Sequence, residues 1–189
     1  MDEQPIQLLE EKCTPIAATK EHPKRVDYEY KRAGTASIFM FTEPLKGKRE
    51  VSVREQRTKI DWALEMEKLL STHYAHVDKV ILVCDNLNTH TRGAFYEAFS
   101  PDKARELVNK IEFHYTPKHG SWLNIAECEL SAMTSQCVKH RRFSTIEFLR
   151  DEITAWAKKV NKSQRGVNWQ FGIEKARKKL KSIYPKFEY

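Results

Sequence analysis

The spacing of hydrophobic and polar positions changes several times along the chain. Residues 12–34 are polar, are broken by Pro15 and Pro23, and read as a long excursion. The run TASIFMFTEP, residues 35–44, is rich in β-formers and predicts a strand. LKGK then supplies a turn, and REVSVRE, residues 49–55, alternates like a half-exposed strand, so the two runs predict a hairpin. From Thr58 to about Tyr74 the period becomes helical. Ile60, Ala63, Leu64, Glu67 and Leu70 recur at helical spacing, and Thr58 with Asp61 forms an N-terminal capping pair. VILVC (Val80–Cys84) is an unbroken apolar run of strand length, which predicts a strand covered on both faces. Residues 91–99 and 101–110 predict short helices. IEFHYTP, residues 111–117, predicts a strand stopped by proline. After a turn at KHGS, residues 122–138 predict a helix. Ser144 and Glu147 read as a capping box opening an amphipathic helix through Ile146, Leu149, Ile153, Trp156, Ala157 and Val160.

The order is therefore hairpin, helix, strand, helix, strand, helix, helix. Such a string packs as an α/β fold, a mixed sheet with helices on its faces. In such sheets, sites form at the carboxyl ends of strands. Asp85 stands at such an end. The 189 residues fit one domain, read here as residues 1–161, with residues 162–189 as a basic C-terminal tail carrying Trp169, Phe171 and EKARKKLKSIYP. No repeat or low-complexity segment interrupts it.

Composition narrows the class. Hydrophobic residues make up 40% and charged residues 31%, the balance of a soluble chain with a core. No apolar run approaches the roughly 20 residues that span a bilayer. The start, MDEQPIQLLEEK, lacks the basic-then-apolar order of a signal peptide, so a cytoplasmic location is expected. Cys13, Cys84, Cys128 and Cys137 show no CxxC pairing and read as reduced thiols, mostly core. The net charge of +7 is segregated. From Lys139 onward there are 14 Lys and Arg against 5 Asp and Glu, a net of +9, so residues 1–138 net −2. A basic final quarter fits a polyanion, nucleic acid first, or equally a solvated helix face with a frayed tail.

Three acids stand at element edges: Asp2 in MDEQP, Asp85 after the apolar strand, and Glu127 in HGSWLNIAECELS. Clustered carboxylates repel and need protons or cations to coexist. Hard divalent cations suit them, and Mg²⁺ is held by few carboxylates plus substrate phosphates. Spacing alone does not decide between a metal site and turn chemistry, because Asn86, Asn88 and Thr89 beside Asp85 are turn formers. Nor does the helical wheel separate Glu127 from Glu129. Both flank the apolar stripe of Leu123, Ala126, Leu130, Met133 and Cys137.

Taken together and in order, MDEQP, YKRAGTASIF, VILVCDNLNTH and YTPKHGSWLNIAE resemble the catalytic domain of the DDE transposases of bacterial insertion sequences related to the mariner superfamily. The resemblance runs from Asp2 to about Pro185. It implies an RNase H-like fold, a mixed five-stranded sheet flanked by helices. It implies two divalent ions, Mg²⁺ or Mn²⁺, held by the catalytic acids Asp2, Asp85 and Glu127. It also implies hydrolytic cleavage of double-stranded DNA at transposon ends, then attack of the freed 3′-hydroxyl on target DNA. A homodimer assembled on DNA and a prokaryotic, nucleoid-associated location are expected. The family's helix-turn-helix segments are not in this sequence. The chain starts one residue before Asp2, so most of the first, central strand is expected to be missing and Asp2 loosely held.

Several of the remaining residues carry two readings. Lys118 and His119 suit phosphate contact or simple turn exposure. His90 suits site support or a turn bonding backbone, and Trp122 base stacking or burial at a helix start. Asn124 suits a supporting hydrogen bond. Lys139, His140, Arg141 and Arg142 form a basic cluster placed for phosphate contact, and Arg177, Lys178 and Lys179 for nonspecific affinity. The competing function is a catalytically defective DNA-binding remnant of a truncated or split transposase. A third is a general RNase H-like nuclease.

Overall fold

The computed structural model describes residues 1–117, 120, 123–168, 170–179 and 181. Among them are five strands: β1 (Asp2–Glu11), β2 (Tyr30–Glu43), β3 (Lys48–Arg54), β4 (Val80–Cys84) and β5 (Ile111–Tyr115). The helices are α1 (Lys59–Thr72), α2 (Arg92–Ala98), α3 (Pro101–Lys110), α4 (Ile125–Met133), α5 (Ile146–Lys162) and α6 (Ile173–Lys179).

The strands form two sheets. β1, β2 and β3 make an antiparallel sheet in that order, while β4 and β5 make a parallel pair. The α/β class is as expected, but the single five-stranded sheet is not. Met1 lies beside β4 and its amine donates to Val83 O at 2.6 Å, a single rung between the two sheets. The first strand also differs from expectation. It runs forward from Asp2 for ten residues and is laddered to β2 from Asp2↔Met40 to Glu11↔Tyr30, with a register shift between Gln7 and Leu9. The polar excursion is shorter than residues 12–34, because main-chain pairing to β1 extends into Tyr30, Lys31 and Arg32 whatever their polarity.

Strand alternation divides the core. Phe39 and Phe41 of β2 face one way and pack with Met1, Trp62, Met66, Leu82, Cys84, Phe95 and Leu107. Ile38 and Met40 face the other way, toward Leu130, Met133, Leu149, Ile153 and Trp156. Helices α1–α3 thus cover one face, and α4 and α5 lie over β1, β2 and β3 on the other. That offset leaves β4 uncovered on its second face. Ile81 is 66% exposed and Val83 43%, against the expectation of burial on both sides.

Local chemistry sets the helix ends. Thr58 and Asp61 form the expected reciprocal capping box on α1. At α5 the cap sits one residue later than expected: Thr145 accepts from the Phe148 amide at 3.1 Å. Helix α4 starts at Ile125 behind the cap Asn124 and continues as a π-helical turn, Thr134–Val138. Trp122, the expected start of that helix, lies outside the described residues. Of the four cysteines, Cys84 and Cys137 are buried and Cys13 and Cys128 exposed, all as free thiols. Among the described residues no helix is long and apolar enough to cross a membrane.

Past α5 the chain turns back onto the β2–β3 turn. The Val167 amide donates to Pro44 O at 2.7 Å, and Arg165 O accepts from Arg49. Gly47 has φ +65°, and a Cβ there meets Arg165 C at 2.6 Å. Gly47→Ala is therefore expected to lose about 1–3 kcal/mol, read as a lower midpoint in urea unfolding without a changed slope.

Candidate active site

The first and second acids come from neighbouring elements. Asp2 opens β1, opposite Met40 in the ladder, and so shares the sheet face covered by α4 and α5. Asp85 leaves the end of β4, two residues past the carbonyl that holds Met1. The two carboxylates feel each other. Burial first, and then the charges of Asp85 and Glu3, push the Asp2 carboxyl up to about 6, although the Glu3 amide donates to its Oδ1 at 2.9 Å.

Glu3 points to the opposite face of β1, where Phe39 lies opposite it. Its carboxylate is buried against His90, whose Nε2 lies 3.0 Å from both Glu3 oxygens. The other ring nitrogen, Nδ1, is 2.6 Å from Asp85 Oδ1 and 3.3 Å from Asp85 O. The first of these is a charge contact without hydrogen-bond angles, so Asp85 Oδ1 stays buried and lacks a directional partner among the described residues. His90 is fully buried, with Trp62 5.5 Å away and the Tyr115 hydroxyl donating to its carbonyl. Burial opposes its charge. The hydrogen bonds of Cys84 and Glu3 and the charge of Asp85 outweigh that and push it up to about 10. At neutral pH an imidazolium therefore stands between Glu3 and Asp85.

The third acid arrives through α4. Asn124 Oδ1 caps the Ala126 amide, and its Nδ2 donates to Met1 O at 2.8 Å. This ties the start of α4 to the residue before Asp2. Glu127 lies in the first turn of that helix and is exposed, and its side chain has no hydrogen bond or ion pair among the described residues. Glu129 is different. It is buried and accepts two hydrogen bonds from Arg49, at 2.7 Å from Nε and 2.6 Å from Nη2. Arg49 is further held by Gly47 O and Arg165 O. The two glutamates that the helical wheel left equivalent thus have separate fates. Yet among the described residues no three His, Cys, Asp or Glu side chains converge closely enough to hold a metal ion. Asp2 and Asp85 are brought together, and Glu127 is near in the fold without joining them.

The basic residues divide similarly. Lys139 is exposed after the π-helical turn. Arg141 pairs with Glu152 at 2.8 Å and lies over Phe143 and Phe148. Arg142 contacts Glu11, donates to the carbonyls of Asp27 and Glu29, and stacks over Tyr30, so it clamps the β1–β2 excursion. Arg177 and Lys178 are exposed on α6. Lys118, His119 and Trp122 lie outside the described residues. Sequence reasoning missed Glu3. The signal was an acid adjacent to Asp2 on a strand, hence on the other face, but its partner is 87 residues away.

Residues 1–150 match the family model described as DDE superfamily endonuclease. No curated protein and no solved structure matches the chain.

Two outcomes follow from the charges. Asp2 holds its proton to higher pH in the folded chain than its ordinary 3.8, so its contribution to stability falls as pH rises from about 4 to about 6. Asp2→Asn is expected to remove that fall and to stabilise the chain at pH 7 by about 1–2 kcal/mol after solvent screening, as measured by thermal unfolding across pH. Glu129→Ala leaves Arg49 buried and unpaired, an expected loss of about 3–5 kcal/mol, whereas Glu127→Ala stays within about 0.5 kcal/mol. Urea unfolding of the two variants side by side measures the difference.

Proposed function

The chain belongs to the DDE superfamily endonucleases, and from that premise we propose that it is a transposase catalytic domain that cuts and joins DNA strands with divalent metal. The observation that carries this reading is the charge imbalance at Met1. Glu3 and Asp85 share one imidazolium, Asp2 on the other face of β1 feels the charge of Asp85, and the buried Asp85 Oδ1 has no directional hydrogen bond among the described residues. Hard oxygen donors carrying excess negative charge fit Mg²⁺ or Mn²⁺, which few carboxylates and a substrate phosphate suffice to bind. Asp2 and Asp85 hold the ions in this reading, with Glu127 completing the set from the first turn of α4, and two ions in all. When bound, the metal supplies activation of the attacking oxygen and stabilisation of the leaving oxygen.

The protein's own part is positioning. Glu3 holds His90, and His90 fixes the carboxylate of Asp85. Asn124 holds the start of α4 against Met1. The DNA chemistry has two steps. Water attacks a phosphodiester and a 3′-oxygen leaves as a hydroxyl. That hydroxyl then attacks a target phosphodiester, displacing its 3′-oxygen. Lys118, His119, Lys139, Arg141, Arg177 and Lys178 supply phosphate contacts along the duplex in this reading, with less from Arg142, which is engaged within the chain. Reading β3-β2-β1-β4-β5 as one RNase H-like sheet is supported by the Met1–Val83 rung. The body is residues 1–161, with residues 162–189 a basic appendage. Two protomers join on DNA, since two ends must meet.

The absence of Glu127 from a three-residue cluster among the described residues favours a second reading, a DNA-binding remnant without cleavage. One experiment separates the two. Supercoiled DNA is incubated with Mg²⁺ or Mn²⁺ and nicking is compared with Asp85→Asn. The expected result is metal-dependent nicking that the variant loses by about a hundredfold or more. Equal nicking by both sinks the assignment. Salt-dependent binding without nicking selects the remnant.

A further inference from the structure

Helix α4 is nine residues long and sits on the sheet by an apolar stripe. Ala126, Leu130 and Met133 are buried and pack with Ile38 and Met40 of β2, while Cys128 on the outer side is exposed. At about 100° per residue, Glu127 and Glu129 fall on opposite flanks of that stripe. Apolar contact is non-directional, so the stripe by itself fixes the rotation of so short a helix only loosely. Asn124 ties the head of α4 to Met1 O. Beyond Met133 the helix widens into the π-helical turn, where Thr134 Oγ1 donates to Gln4 Oε1 at 3.0 Å.

Between those ends lies a contact that is both buried and directional. Glu129 accepts from Nε and Nη2 of Arg49 in one plane. Arg49 is held in turn. Its Nη1 donates to Gly47 O and its Nη2 to Arg165 O. The Asn161 side chain bonds its amide at 2.9 Å and its carbonyl at 2.7 Å. The pair therefore joins α4 to the start of β3, the β2–β3 turn, the end of α5 and the segment after it. Strand order gives the direction of the pull. β2 lies between β1 and β3, and α4 covers β1 and β2. Arg49 draws Glu129 to the β3 flank, so Glu127 is turned to the β1 flank. Asp2 lies on that strand and on the face that α4 covers.

We propose that Arg49 and Glu129 are positioning residues for metal-dependent DNA cleavage: their buried ion pair sets the rotation of α4 and so holds Glu127 on the flank of Asp2. The role rests on the reading of Asp2, Asp85 and Glu127 as the metal-holding acids. Neither Arg49 nor Glu129 touches the ion or the DNA. Because Arg49 satisfies Glu129, only one of the two glutamates stays available to the ion. A helix turned by one residue carries Glu127 away from β1. A carboxylate misplaced by about 1 Å costs on the order of a hundredfold in rate.

Mn²⁺ titration calorimetry without DNA, and nicking kinetics with it, test this on the full chain. Glu129→Gln keeps the side chain's shape and removes one of its two acceptor oxygens. Arg49→Met combined with Glu129→Leu replaces the pair with apolar side chains of similar volume. Circular dichroism and thermal unfolding establish that each variant is folded. Both are expected to bind Mn²⁺ about tenfold or more weakly, and to lose about tenfold or more in kcat with KM for DNA unchanged. Leu149→Ala, a core truncation in α5, is expected to lower the unfolding temperature and keep wild-type Mn²⁺ affinity. Wild-type Mn²⁺ affinity and kcat in either folded variant overturn the proposal. So does an equal loss in Leu149→Ala, which makes the effect one of stability. A wild-type chain that binds no Mn²⁺ and nicks no DNA overturns the metal reading and this role with it. A wild-type chain that does both, beside unaffected variants, overturns this role alone.

Discussion

Two hydrogen bonds on one residue hold the candidate site together. The Met1 amine reaches Val83 O on β4, and the Met1 carbonyl accepts from Asn124 at the head of α4. Three elements that share few other connections meet at that point. Asp2 is the next residue along one of them, Asp85 lies two residues past the contact on the second, and Glu127 is in the first turn of the third. A single rung does not make a sheet, so the strands remain a triplet and a pair.

Charge compensation then decides which acids are available. Arg49 binds Glu129 with a planar, two-point contact and is anchored by the β2–β3 turn and by Arg165. That network fixes β3, α4 and the segment after α5 to one another. It also satisfies Glu129 completely and leaves its neighbour Glu127 in solvent. On the other side of β1, His90 satisfies Glu3 and only partly satisfies Asp85. Negative charge is thereby removed from two positions and concentrated at Asp2 and Asp85, where membership of the DDE superfamily endonucleases gives it a proposed use.

Much of the architecture was legible from residue spacing. The capping box of α1, the amphipathic stripe of α5 and the apolar runs of β4 and β5 are local signals, and each appears where the pattern put it, within a residue or two. The misses have a common cause. The first part of β2 is polar and read as a loop, and β1 was expected to be mostly missing, because strand pairing there satisfies backbone groups and asks little of the side chains. β4 read as buried on both faces, because five apolar residues in a row carry no information about whether a helix arrives to cover them.

The site divides along the same line. By itself the sequence determined that Asp85 ends a strand, while the grouping of Asp2 and Glu127 with it rests on motif resemblance and stands as a proposal. Neither reading needs coordinates. Only the tertiary structure decided that Glu129 is neutralised by Arg49, 80 residues away, and that His90 is a buried cation shared with Glu3, 87 residues away. A carboxylate's role depends on its desolvation and on the charge beside it. Both are set by which distant segments pack against it, and no periodicity along the chain encodes that.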